Sequence, residues 1–202
     1  MKYLIAIILP ILIILGVWQI NRGLEKQANT QQFNNSPPVT ITGTAFKTQF
    51  LLDNQIYNKQ VGYYILTPIL TKKNVIILIN RGWVAANNRK SIPNIQISAQ
   101  PQNFQGIIKT PGTGIVLQHT VEQLNANIVR IQSVDFLVIA KQLDNKIAIS
   151  PSVLHLDKSH PEILQYITPY LGMKASKHFA YAAQWFAMAL AIIVYLVVLL
   201  RP

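Results

Sequence analysis

Lys177–Pro202, KHFAYAAQWFAMALAIIVYLVVLLRP, is the stretch on which the fold turns. From Phe179 to Leu200 it holds about 22 residues without a formal charge, and at about 1.5 Å per residue such a helix crosses a hydrocarbon core of about 30 Å. A membrane-spanning helix over 178–200 is therefore expected. Its first half is not plainly aliphatic: His178, Tyr181, Gln184, Trp185 and Phe186 interrupt the run. Positions 178, 181 and 185 are spaced i, i+3 and i+7, which puts imidazole, phenol and indole on one helical face. Polar groups at membrane depth are costly and turn toward a partner helix, a cavity or a ligand. The other reading is an aromatic belt, with His178 beside Lys177 marking where water begins.

The opposite end of the chain reads MKYLIAIILPILIILGVWQINRGLEK. Its apolar run is broken only by Gln19, and Trp18, Gln19 and Asn21 occupy the place where a signal peptide would need a small-x-small cleavage site. We read it as a retained first span over 3–22, which Pro10 kinks. Leu15, Trp18, Gln19, Arg22 and Lys26 recur at helical spacing, forming either a face for an anionic amphiphile or an interfacial anchor with snorkelling cations. Two spans around one loop put both termini on one side, so Trp18, Gln19 and Arg22 are expected at the depth of His178, Tyr181 and Trp185.

Of 202 residues, 50% are hydrophobic and 12% charged, and the apolar excess sits at the two ends. There is no cysteine, which excludes disulfides, zinc–thiolate sites and cysteine nucleophiles. The formal net charge is +11, and setting aside Lys2 and Arg201 leaves +9. That surplus suits anionic lipid headgroups or an acidic partner. Because the basic residues are scattered, nucleic acid is not expected as a partner. Charge counting at the span ends does not decide the orientation.

Between the spans, 23–38 is expected as a helix extension and polar linker, with ANTQQFNNSPP as the linker proper. An extramembrane β-rich domain follows over 39–172. VTITGTAF alternates, FLLDNQIYN suggests two short strands about an Asp53-Asn54 turn, and VGYYILTPIL pairs with NVIILINRGWVAA through Lys72-Lys73-Asn74. SAQPQNFQGIIKTPG, closed by Pro111 and Gly112, and KIAISPSVLHL add strands, and IVRIQSVDFLVIAKQL adds a strand that passes into a short helix after Asp135. The expectation is a two-span membrane protein whose helices flank a mainly antiparallel barrel or sandwich with little helix.

No nucleophile elbow, phosphate-binding glycine loop or H-E-x-x-H motif is present, so an enzyme is not expected. His155, Asp157 and His160, in HLDKSH, form a candidate metal trio, although a Pro-bounded polar segment favours a structural role.

LGVWQINRGLEK, GYYILTPIL with VIILINRGWV, and HFAYAAQWFAMAL resemble, in order and spacing, the Surfeit locus protein 1 family of membrane assembly factors for haem-copper cytochrome c oxidase. The resemblance covers nearly the whole chain, and the absence of a mitochondrial presequence suggests a bacterial member. It implies termini in the cytoplasm, a periplasmic domain and residence in the inner membrane. Expected partners are the oxidase catalytic subunit and the haem a synthesis enzyme. It further implies haem a as cofactor, with His178 as axial ligand to the iron and no other metal. Around it would stand Trp18 and Trp185 against the macrocycle, Arg22 near the propionates, and Gln19, Tyr181 and Gln184 as neighbouring polar groups. Arg81, Gly82 and Trp83 form a family signature, read either as structural or as a surface for an oxidase subunit.

Overall fold

The structure is a computed structural model that describes residues 2–87, 89, 93–111, 121–143, 147–167 and 173–199. In chain order the elements are α1 (Lys2–Asn34), β1 (Val39–Ala45), β2 (Gln49–Tyr57), β3 (Gln60–Thr71), β4 (Ile76–Ala85), β5 (Gln102–Lys109), β6 (Val121–Asn125), β7 (Ile128–Ile131), α2 (Phe136–Gln142), β8 (Ile149–Leu156) and α3 (Ala175–Leu199). They divide into two units: α1 with α3, and the β domain over Pro37–Pro169.

In the helical unit both α1 and α3 are long and apolar enough to cross a membrane. Ile7, Ile14, Leu190, Val194 and Val198 stay exposed, as suits helices solvated by lipid and not the core of a water-soluble domain. The chain is accordingly a membrane protein with two candidate spans. α1 continues to Asn34, so most of the polar stretch expected as a linker is helical. No Gly or Pro interrupts it between Gly23 and Pro37, and the polar residues there are compatible with a solvated helix.

Small residues let the two helices approach. A Cβ on Gly16 would lie 2.7 Å from the Phe186 ring, and one on Gly23 would lie 2.5 Å from the Phe179 ring. Both the glycines and the phenylalanines are seven apart, so two successive heptads interlock antiparallel. Leu12, Ala182 and Ala189 complete the buried seam.

The β domain is one mixed eight-stranded sheet, ordered β1-β5-β8-β4-β3-β2-β7-β6, with an added β1–β3 pairing. That extra pairing, Gly43–Ala45 against Thr71–Ile69, closes β1, β5, β8, β4 and β3 into a ring of hydrogen-bonded neighbours. Ala45, Ile69, Ile77, Ile79, Phe104, Leu154 and Leu156 form one buried cluster with contributions from all five of those strands. A second cluster packs Phe50, Leu66, Leu78, Val129 and Val153 with Ile139 of α2, which Asp135 caps by accepting from the Leu137 and Val138 amides.

The sheet is mainly antiparallel, as expected, with β2–β7 and β4–β8 running parallel within it. Two details depart from the sequence reading. Asp53-Asn54 is not a turn between two strands; the register against β3 shifts between Leu52 and Gln55, and Asn54 takes φ 60° within a single bulged strand. The turn instead falls at Asn58-Lys59, where both residues have positive φ, as a two-residue hairpin requires. Finally, β6 was not anticipated, because VEQLN lacks the alternation that marks a half-buried strand.

Candidate functional site

His178 lies one turn into α3 with only 7% of its surface exposed. Its Nδ1 is 2.7 Å from Oε1 of Gln19 on α1. A carboxamide oxygen only accepts, so in this pairing Nδ1 donates, and in the neutral ring the lone pair is then on Nε2. No other hydrogen bond to the ring occurs among the described residues. On α1 Gln19 lies between Gly16 and Gly23, and on α3 His178 immediately precedes Phe179, so the glycine–phenylalanine contacts fix the helix register in which this hydrogen bond forms. An imidazole whose Nδ1–H is fixed by a carbonyl oxygen is oriented as a metal-ligating histidine commonly is.

The other expected members of this face are placed differently. Trp18 and Tyr181 are about half exposed and Gln184 is exposed, whereas Trp185 is partly covered. The side of α3 that meets α1 carries 178, 182 and 189, so the structure joins Gln19 to His178 and leaves Tyr181 and Gln184 on outward-facing surface. Arg22 pairs with Glu25 one turn along its own helix at 2.6 Å. Sequence reasoning passed over Gly16, Gly23, Phe179 and Ala182; the repeated seven-residue spacing of small and aromatic residues is the signal that identifies them.

Within the β domain, Arg81, Gly82 and Trp83 form a structural knot. Tyr64 pairs with Trp83 and Leu66 with Asn80, so β4 carries one residue more than β3 there. Gly82 absorbs the bulge at φ 101°, and a Cβ on it would lie 2.5 Å from the Gln165 carbonyl oxygen. The bulge points Trp83 into the cluster with Phe50 and Tyr64, where its indole donates to the Gln55 carbonyl at 2.8 Å. Arg81 is 2% exposed and donates to the carbonyls of Ile95, Gln96 and Glu162, with the Glu162 carboxylate at 3.3 Å. Burial lowers its pKa and Glu162 opposes the shift. Neither long side chain of this signature is free to form a partner surface.

HLDKSH is likewise divided. His155 Nδ1 faces the Asn80 amide at 3.3 Å, and burial, with Lys109 adding to it, lowers its pKa to about 4. His160 donates from Nε2 to the Asn103 carbonyl, accepts from the Glu162 amide at Nδ1, and stacks on Phe104. Asp157 accepts from the amide and hydroxyl of Ser159, which hold its carboxyl below the usual range. Among the described residues no group of three or more His, Asp or Glu is arranged to hold a metal ion.

Two apolar helices joined by a His–Gln hydrogen bond, with a closed mixed β domain between them in sequence, define a membrane-anchored β-domain protein. The SURF1 family model matches residues 6–190, and the chain belongs to that family. It is similar to SURF1-like proteins of Rickettsia bellii (26% identity, covering 96% of this chain and 88% of the relative), Rickettsia conorii (27%, 99% and 91%) and Rickettsia felis (27%, 98% and 95%).

Proposed function

We propose that this chain binds haem a through His178 and assists its insertion into the catalytic subunit of a haem-copper cytochrome c oxidase. The SURF1 family is a family of oxidase assembly factors, and membership supports the assembly role. The observation that carries the haem reading is the His178–Gln19 hydrogen bond, which leaves Nε2 as a neutral, oriented donor for iron. Haem a would supply a Lewis-acidic iron for that nitrogen.

The ligand atom fits, but the seam beside it has no space for a macrocycle: Phe179 and Phe186 already pack on Gly23 and Gly16. The residues that would hold the cofactor therefore lie outside the seam: Trp18 or Trp185 would give apolar surface, and Arg22, here paired with Glu25, would pair with a propionate. Tyr181 and Gln184 have no assigned bond to it. The protein acts as a carrier and not as an enzyme, with its termini in the cytoplasm, its β domain in the periplasm, and the catalytic subunit and haem a synthesis enzyme as partners.

A cofactor-free scaffold is the competing reading, favoured by the burial of His178 and its use as an interhelical tie. The two separate on the pyridine-haemochrome spectrum of protein purified from cells making haem a. The carrier reading expects a haem a signal that His178→Ala abolishes and Gln19→Leu weakens or shifts, with all three proteins membrane-inserted. A colourless wild type, or a signal indifferent to His178→Ala, overturns it in favour of the scaffold.

A further inference from the structure

β1 is shared between two neighbours for only part of its length. Gly43–Ala45 pair with β3, but residues 39–42 pair with β5 alone and diverge from the β3–β4 turn. β1 and β3 are in close contact at Gly43, where a Cβ would lie 2.6 Å from the Leu70 carbonyl oxygen, and the divergence begins on its N-terminal side. It leaves a cleft of about 440 Å³ between Thr40–Thr42, the turn at Thr71–Val75, and Ser150 of β8. Ile41, Val75 and Ile77 form its apolar floor; Ile77 belongs to the cluster shared by the five ring strands and Ile41 packs against it, so the cleft is a mouth of the ring interior.

The rim is cationic and fixed. Lys72 and Lys73 are exposed and make no ion pair among the described residues. They are carried on a turn locked by the Thr71 hydroxyl, which donates to the Val75 carbonyl at 2.8 Å and accepts from the Val75 amide, with Asn74 at φ 57°. The hydroxyls of Thr42 and Thr71 are thus used internally, at Asn103 and Val75 respectively. Thr40 and Ser150 make no side-chain hydrogen bond among the described residues and offer two more donors at the rim.

We propose that this cleft binds an anionic amphiphile: a phosphate or carboxylate head held by Lys72, Lys73, Thr40 and Ser150, with an apolar portion against Ile41, Val75 and Ile77. Small-ligand sites favour concave apolar walls with a few convergent polar groups, and the mouths of closed β structures are frequent places for them. Two unpaired ammonium groups select an anion, and the floor selects one that carries hydrocarbon. The site is built from residues of the β domain alone and does not depend on haem binding.

Hydrogen exchange on the full-length protein in neutral detergent reads this site locally. Short-chain dioctanoyl-phosphatidylglycerol should slow exchange of the amides of 71–77 and 40–42, while the zwitterionic dioctanoyl-phosphatidylcholine should not. Inorganic phosphate separates the sources: protection by phosphate at the same concentration would overturn the amphiphile and leave a simple anion site. Lys72→Ala/Lys73→Ala should weaken the lipid effect by about tenfold or more, and Ile41→Asn should weaken it without removing charge. Equal protection by both lipids, no protection at these amides, or an unchanged effect in the double-lysine variant overturns the proposal. Unchanged exchange in the 49–66 and 128–131 strands verifies that each variant is folded.

Discussion

At the scale of single residues, the domain's buried charges and imidazoles explain themselves through the backbone. Arg81 ends at three main-chain carbonyls, so it ties β4 to the segments around 95–96 and 162 where the chain has no regular ladder. His155 is the titrating member of this interior. Its pKa of about 4 in the folded state lies below the unfolded value of about 6.5, so between those values the unfolded chain binds more protons. Its contribution to stability is complete above about pH 6.5 and is lost as pH falls toward 4. Lys109 faces it as a like charge and Asn80 as an uncharged partner. A loss on the order of 1–3 kcal/mol is expected, and denaturant midpoints at pH 7.5 and 5 should show it in wild type and much less of it in His155→Gln. Equal pH dependence in both proteins would show that other groups carry it.

The elements show where local pattern suffices and where it does not. Gly16 and Gly23 admit Phe186 and Phe179, and a side chain at either position collides with a ring. Gly16→Leu and Gly23→Leu should each separate α1 from α3, whereas exposed Leu24→Ala should not. Disulfide formation between cysteines introduced in place of Gln19 and His178 measures this, and strong cross-linking in the leucine variants would contradict it. The β3–β4 hairpin was legible because two β-branched runs flank Lys72-Lys73-Asn74. The single bulged β2 was not, because Asp-Asn chemistry serves a turn and a bulge equally well and only the partner strand decides between them. Helix continuation through Ala28–Asn34 was hidden for a related reason: polar composition marks solvent exposure, not loss of helix. At the site, His178 and Gln19 each stood out as polar residues in apolar runs, yet their hydrogen bond depends on a helix register that neither segment specifies alone.

For the whole molecule, the chain's lack of cysteine makes topology directly measurable. With a periplasmic domain, a cysteine replacing exposed Ser98 should react with a membrane-impermeant maleimide in cells with a permeabilised outer membrane. One replacing Lys2 should react only after lysis; the opposite pattern would invert the proposed orientation. The closed ring has a consequence for synthesis as well. β8 lies between β4 and β5, parallel to one and antiparallel to the other, and it is the last strand of the ring to be made. Until Ile149–Leu156 has been translated, both neighbours present open hydrogen-bonding edges of the kind that recruit strands from other chains. A premature stop anywhere between the end of β5 and Ile149 therefore leaves the same pair of open edges, while one just beyond Leu156 leaves the ring complete. For nonsense alleles, the boundary between these outcomes is set by the arrival of one eight-residue strand.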